Sequence, residues 1–153
     1  YIHGGGKIGV MVRAESPAGA IPEILAAAKD CALQVAAMNP PYLKREDVPA
    51  AVLDEEKKII LAQMAEDPKM ANKPEQVKEK IAAGKVGKYY GENCLLEQAF
   101  VKENKETVQS YVDGVAKAAG TTIAITDFVR FERGEGIEKK ADNFAEEIAS
   151  MIK

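Results

Sequence analysis

Prolines divide the middle of this chain into two long, charged tracts with helical spacing. We predict one helix over residues 46–66 and a second over residues 74–90, with the proline-bracketed segment 67–74 as the hinge. Each tract has a thin apolar stripe, formed by Val52, Ile59, Ile60 and Met64 on the first and by Val77, Ile81 and Val86 on the second. Two such helices bury their stripes best against each other. Residues 41–91 are therefore predicted to form a projecting arm, an antiparallel helical hairpin with coiled-coil packing.

The residues on either side of the arm show both strand and helix patterns. Residues 7–13 and 122–133 alternate like strands, whereas residues 22–38 and 107–119 have helical spacing. In the first of these helices the apolar positions are Ile24, Leu25, Ala28, Cys31, Ala32 and Val35. We therefore predict an α+β fold, in which a small antiparallel sheet packs with helices and is interrupted by the arm.

This layout divides the chain into three parts. Residues 1–40 and 92–135 would form a discontinuous core subdomain, with the arm at 41–91 and a short C-terminal helical module at 136–153. The module has apolar residues at helical spacing, among them Phe144 and Ile148. Because the sequence starts with Tyr1 rather than methionine, we expect it to be part of a longer protein.

The second predicted strand of the body contains an acid at a position that alternation would bury. Strict alternation puts Ile123, Ile125, Val129 and Phe131 on the core face, with Asp127 among them. A buried, unpaired carboxylate costs roughly several kcal/mol. We therefore predict a β-bulge or a local twist at Thr126–Asp127 that turns the carboxylate outward.

The chain has few residues that support covalent chemistry. It has one histidine, His3, and two cysteines, Cys31 and Cys94, which are far apart in the sequence. This argues against a catalytic triad, a zinc site or a disulfide framework. We expect each cysteine to pack as a small apolar residue in a reducing compartment. No apolar run approaches the ~18 residues of a membrane span. We therefore expect no enzyme, metal site, cofactor or membrane association.

Two local motifs resemble functional sites but lack the context that such sites need. Residues 4–9 match G-x-G-x-x-G, but a strand follows the glycines where a phosphate-binding loop needs a helix, so we predict a tight turn. Glu132, Glu135 and Glu138 follow each other through a glycine turn. Paired catalytic acids must instead face each other across a cleft, so we expect solvated side chains here.

Charge is distributed unevenly along the chain. Eight lysines and four acidic residues lie between Lys57 and Lys88, whereas the net charge of the whole chain is −3. A basic arm can contact RNA phosphates, and Tyr89 and Tyr90 at its base can stack on bases. A lysine-rich helix face is more commonly a solvated surface. A ribosome- or RNA-associated module acting through the arm is therefore the alternative hypothesis.

Four stretches, in their order along the chain, resemble elongation factor Ts of bacteria and organelles. They are residues 1–10 (YIHGGGKIGV), 35–40 (VAAMNP), 95–102 (LLEQAFVK) and 129–139 (VRFERGEGIEK), of which the last is the most specific. The resemblance covers nearly the whole chain. It implies the C-terminal half of that factor: its second core subdomain, the inserted coiled-coil arm and a short C-terminal module.

The resemblance implies a guanine-nucleotide exchange factor for the GTPase elongation factor Tu, in the bacterial cytoplasm or an organellar matrix or stroma. Such a factor does no covalent chemistry, because it acts by distorting the magnesium and phosphate site and so weakens GDP binding. The N-terminal helical domain and the first core subdomain of the family, which holds its own Thr-Asp-Phe-Val element, are missing here. The same four residues at 126–129 lie within a strand, so we do not identify them with that element. We therefore expect partner binding, but not full exchange activity, from this chain alone.

The resemblance also implies which residues contact the partner. His3 is similar to the family histidine at the interface with the GTPase, and Phe100, Val101 and Lys102 resemble the loop that meets the third domain of the GTPase. Ala99 stands where the family commonly has proline, which predicts a less rigid loop. The C-terminal module, with Phe144 and Ile148, is expected to dock on the partner or on the body. The arm also offers a surface for self-association.

Overall fold

The predicted α+β fold is confirmed by the computed structural model, which describes residues 1–137. In chain order its elements are β1 (Ile2–His3), β2 (Ile8–Glu15), α1 (Pro22–Met38), α2 (Ala50–Glu66), α3 (Pro68–Ala71), α4 (Glu75–Asn93), β3 (Ala99–Phe100), β4 (Glu103–Thr107), α5 (Val108–Ala118) and β5 (Ala124–Glu132). Helix α1 has the predicted bounds, and α2 begins after a 3-10 turn at Arg45–Asp47. The predicted hinge contains the short helix α3.

Strand β2 is the centre of the larger antiparallel sheet, with β1 on one side and β5 on the other. The connection from β1 to β2 is the triple-glycine segment, in which Gly4, Gly5 and Gly6 all have positive φ. The Lys7 amide donates to the His3 carbonyl at 3.1 Å and closes this turn. Glycine adopts positive φ without a steric penalty. The prediction of a tight turn, rather than a phosphate-binding loop, is therefore confirmed.

Strand β5 contains the predicted bulge. Arg13 pairs with Asp127 and the next residue of β2, Ala14, pairs with Ile125, so Thr126 is an extra residue in β5. The Asp127 side chain is exposed, as predicted. Its Oδ1 accepts a hydrogen bond of 2.8 Å from the Phe128 amide. The carboxylate is thus both solvated and hydrogen-bonded, and no buried charge results.

The bulge also reverses the alternation of the strand, which the prediction did not carry through. Ile125 is buried before the bulge, and Phe128 packs against the core after it. Val129 and Phe131, which were predicted to face the core, are instead 39% and 58% exposed on the outer face. That assignment is wrong because one extra residue in a period of two moves every later side chain to the opposite face.

Helix α1 packs on the sheet, and α5 packs on α1 and on the β3–β4 hairpin. The buried residues of this core include Val10, Ile24, Cys31, Val35, Leu95, Phe100, Val108, Val112, Ile123 and Ile125. Leu25 is exposed, contrary to the prediction, because it lies about 100° around the helix from Ile24. After α5, Gly120 has φ 67° and the Thr121 amide donates to the Ala116 carbonyl at 3.0 Å. This is a glycine C-cap of the Schellman type.

Helices α2 and α4 pack against each other around a second buried cluster, formed by Ile60, Met64, Ala82 and Val86 and flanked by Leu53, Met70, Ile81 and Tyr90. Ile60 and Met64 share one face because they are four residues apart. Ile59 and Val77 were predicted to belong to the seam but are exposed. Neighbouring residues on a helix are rotated by about 100°, so Ile59 and Ile60 cannot both lie at its centre.

The small hairpin of β3 and β4 follows the arm and a 3-10 turn at Leu95–Glu97. Strand β4 was not predicted from the sequence, because its residues have no apolar alternation. The hairpin carries residues 100–102 and so positions the loop that the sequence singled out.

Candidate partner-binding loop

The turn between β3 and β4 presents two of the predicted contact residues to solvent. Val101 is 42% exposed, and Lys102 is exposed as well. Phe100, in contrast, is only 2% exposed and belongs to the core of the body. A direct partner contact by the Phe100 side chain does not fit this position. Phe100 anchors the turn from below, and Val101 and Lys102 form the accessible part of the loop.

An aromatic stack holds Phe100 in place. Its ring lies on that of Tyr111, on α5, with 4.2 Å between the centroids and 18° between the planes. The Tyr111 hydroxyl donates a hydrogen bond of 2.7 Å to Oδ2 of Asp30, on α1. Burial raises the pKa of Tyr111 above its usual value, and the hydrogen bond to Asp30 raises it further. The phenol therefore stays protonated and remains a donor over the ordinary pH range.

The same carboxylate reaches the exposed end of the loop. Lys102 Nζ contacts Asp30 Oδ1, while the other oxygen of Asp30 accepts from Tyr111. The lysine side chain is half exposed, so this ion pair contributes roughly 1 kcal/mol or less to stability. The ion pair matters mainly for geometry, because it orients the Lys102 side chain toward Asp30 on α1.

Two buried glutamines lie behind the loop, and sequence analysis did not single them out. Gln34, on α1, and Gln98, just before β3, are each almost wholly buried. Gln34 Nε2 donates to Gln98 Oε1 at 3.1 Å. A signal was available for Gln34: it lies between Cys31 and Val35 on the face of α1 that was predicted to be apolar. A polar residue in such a position is buried with hydrogen-bond partners.

The base of the arm is fastened close to this loop. Arg45 donates two hydrogen bonds to the Glu97 carboxylate, at 2.6 Å and 2.5 Å, and its guanidinium lies 4.8 Å from the centroid of the Tyr90 ring. Backbone hydrogen bonds join the same segments, since the Leu95 amide donates to the Tyr42 carbonyl at 2.9 Å. The chain entering the arm and the chain leaving it are thus connected just before β3.

His3 lies on a different element from the loop. It is exposed on β1, where its Nδ1 is 2.9 Å from the Tyr1 hydroxyl and its ring centroid is 5.8 Å from that of Tyr1. Within residues 1–137, no hydrogen bond, ion pair or ring contact joins His3 to residues 100–102. His3 and the Val101–Lys102 turn are therefore two separate exposed positions on the body.

The described part of the chain offers little for covalent chemistry. Cys31 and Cys94 are both free and buried, and burial raises their pKa to about 12 and about 11. Each is therefore a protonated, inaccessible thiol at neutral pH. In residues 1–137 no three His, Cys, Asp or Glu side chains are grouped to hold a metal ion. No helix in the same range is long and apolar enough to cross a bilayer.

Comparison with known proteins identifies the family of this chain. The family model described as elongation factor TS matches residues 1–135. The chain belongs to the elongation factor Ts family. The predicted resemblance is therefore confirmed, and the loop of Val101 and Lys102 lies within the matched region.

Several bacterial relatives named elongation factor Ts support this membership. That of Clostridium kluyveri is 48% identical over 153 residues, which are 99% of this chain and 48% of the relative. That of Syntrophotalea carbinolica is 44% identical over 153 residues, which are 100% of this chain and 49% of the relative. The chain thus spans about half the length of the elongation factor Ts relatives it matches.

Some predicted elements of this elongation factor Ts family member lie beyond the part that the structure describes. The family match ends at residue 135, and the described residues end at 137. Phe144 and Ile148, the contact residues predicted in the C-terminal module, lie outside the described residues, as does Glu138. Their roles stay predictions.

Proposed function

We propose that this chain binds the GTPase elongation factor Tu and contributes to guanine-nucleotide exchange on it. The exposed Val101–Lys102 turn, which the buried Phe100 anchors, carries this proposal together with membership of the elongation factor Ts family. In our proposal the Val101 methyl groups fill a shallow apolar site on the partner, and Lys102 contributes a charge at its edge. His3, on β1, provides a second contact.

We propose that the longer protein acts by binding the nucleotide-free form of the GTPase more tightly than the GDP-bound form. A protein that binds the nucleotide-free GTPase more tightly than the GDP-bound form lowers the affinity for GDP by the same factor. No covalent step is required, which agrees with the buried, protonated thiols of this chain. Because the chain spans about half of its relatives, we propose partner binding as its own activity and full exchange as the activity of the longer protein.

We further propose that the three predicted parts have separate roles. The body at 1–40 and 92–135 carries the contact residues, and the arm at 41–91 is a self-contained helical hairpin that also offers a surface for self-association. The C-terminal module at 136–153 would dock through Phe144 and Ile148. The relatives named above are bacterial, which favours a bacterial cytoplasmic setting.

The RNA-binding alternative receives less support once the whole arm is counted. Over residues 41–91 the chain has ten basic and nine acidic residues, because the start of α2 and the turn before it are acidic. The lysine excess between residues 57 and 88 is thus local. Nucleic-acid binding depends on such charge and weakens steeply with salt. We therefore do not propose RNA as the main partner.

The release of a fluorescent GDP analogue from elongation factor Tu tests the proposed function. We expect this chain to bind the GTPase and to accelerate release less than full-length elongation factor Ts of C. kluyveri, used as a positive control. Failure of this chain to bind, under conditions in which the full-length relative does, would contradict the proposal. Binding to RNA that disappears with added salt would favour the alternative.

A further inference from the structure

The side-chain amide of Gln34 makes three hydrogen bonds with residues 98–101. Its Nε2 donates to the Ala99 carbonyl and to Gln98 Oε1, each at 3.1 Å, and its Oε1 accepts from the Val101 amide at 2.9 Å. The side chain has no exposed surface. These three hydrogen bonds therefore connect α1 to the short segment 98–101.

These contacts clamp the two peptide groups that flank Phe100. The Ala99 carbonyl and the Val101 amide lie on the same edge of the extended chain, because they belong to the residues before and after Phe100. The glutamine amide, one acceptor beside one donor, pairs with this edge as the peptide group of a neighbouring strand would. Strand β4 pairs with the opposite edge. The backbone at Phe100 is thus held from both sides.

Gln98 extends the contact towards the arm. Its Nε2 donates to the carbonyl of Glu92, in the last turn of α4, at 2.9 Å. Its own backbone carbonyl accepts from the Val108 amide, at the start of α5, at 3.0 Å. A continuous set of hydrogen bonds therefore runs from the end of α4 through Gln98 and Gln34 to the Val101 amide.

We propose that Gln34 is a positioning residue for partner binding: its amide fixes the backbone at Phe100, so that Val101 and Lys102 are presented in one conformation before the partner arrives. This inference rests on the proposed function, because it assigns a role in the same contact. Preorganisation raises affinity by reducing the ordering that binding must impose. Gln34 has no exposed surface of its own, so it acts on the partner only through the residues that it hydrogen-bonds.

Replacement of Gln34 removes specific partners. In Gln34→Met the volume is nearly kept, but the Val101 amide, the Ala99 carbonyl and Gln98 Oε1 lose their partner. In Gln34→Glu the acceptor for Val101 remains, while both donors are lost at neutral pH. Gln109, on the surface of α5 with its Nε2 2.8 Å from Asp113 Oδ1, offers a matched control as Gln109→Met.

Hydrogen exchange on the free chain distinguishes a local effect on the loop from a general loss of stability, because it is measured separately at the Val101 amide and at an amide of the core. In Gln34→Met we expect exchange at the Val101 amide to rise about tenfold relative to that at the Val112 amide, in the core. We also expect the affinity for elongation factor Tu to fall roughly tenfold, and Gln109→Met to change neither quantity. An unchanged ratio of the two exchange rates, or an unchanged affinity with a raised ratio, would overturn the inference.

A measurement on the unaltered chain covers the case in which both Gln34 variants fail to fold. NMR detects couplings through hydrogen bonds, and we expect one between the Val101 amide nitrogen and the side-chain carbonyl carbon of Gln34. Absence of this coupling would overturn the inference. If the coupling is present but the unaltered chain does not bind elongation factor Tu, the proposed function fails, and the binding role of Gln34 fails with it.

Discussion

Replacement of Phe100 by alanine tests whether the loop is anchored as the structure indicates. The side chain is 2% exposed and stacks on Tyr111 at 4.2 Å. Truncation of a buried phenylalanine costs about 3–5 kcal/mol, and this value includes the cavity that remains. We therefore expect the free energy of unfolding to fall by ~4 kcal/mol, a large part of the roughly 5–15 kcal/mol that stabilises a typical domain.

Urea denaturation followed by circular dichroism measures this loss. With a slope of about 2 kcal/mol per M, the midpoint should fall by roughly 2 M. Phe131→Ala is a matched control, because it makes the same chemical change at a side chain that is 58% exposed on the outer face of β5. We expect it to cost about 1 kcal/mol or less. Equal losses for the two variants would refute the assignment of Phe100 to the core and Phe131 to the surface.

Three further predictions concern the sheet, the thiols and the arm. Deletion of Thr126 removes the bulge but keeps each side chain of β5 on its face, so we expect a folded protein by circular dichroism, and loss of folding would contradict the assigned register. Burial raises the pKa of Cys31 to about 12 and that of Cys94 to about 11, so above pH ~9 the unfolded chain binds fewer protons than the folded chain. We therefore expect the free energy of unfolding to fall from pH 8 to pH 10, by roughly 1 kcal/mol for each thiol, and urea titrations that show a rise would contradict this. In the arm, Ile60→Ala should lower the free energy of unfolding by about 2–4 kcal/mol, because Ile60 is buried, and Ile59→Ala by less than about 1 kcal/mol, because Ile59 is exposed. The reverse order in thermal unfolding would show that the contact between α2 and α4 is misassigned.

The helical part of the fold was predictable from local pattern. Helix α1 is bounded by a proline at its first position and by Asn39 with left-handed φ at its end, and both are local signals. The pairing of α2 with α4 followed from their thin stripes and the short connection between them. Which residues fill the seam could not be predicted as well, because Ile59 and Ile60 are equally apolar and only packing decides between them.

In strand β5 the bulge was predicted correctly, but the orientation of the residues after it was not. The cost of burying Asp127 predicted the bulge, and the register of β5 confirms it. The orientation of Val129 and Phe131 was still wrong, because alternation was continued through the extra residue. Strand β4 was missed since its polar residues form no pattern, and its pairing with β3 is a tertiary effect.

The candidate loop was found through its resemblance to a family, but its supports were not. Gln34 contacts Gln98 across 64 positions in the sequence, and Asp30 contacts Tyr111 across 81. No local pattern links residues so far apart. The sequence therefore indicated which residues are presented, while only the fold shows which residues hold them there.

Isothermal titration of nucleotide-free elongation factor Tu with this chain tests the central claim most directly. The chain and two variants, Val101→Asp and Val129→Asp, would be compared, because these valines are 42% and 39% exposed but lie on different surfaces. The account predicts binding by the unaltered chain, a roughly tenfold or greater loss of affinity for Val101→Asp, and little change for Val129→Asp. Equal affinity of the unaltered chain and Val101→Asp would contradict it.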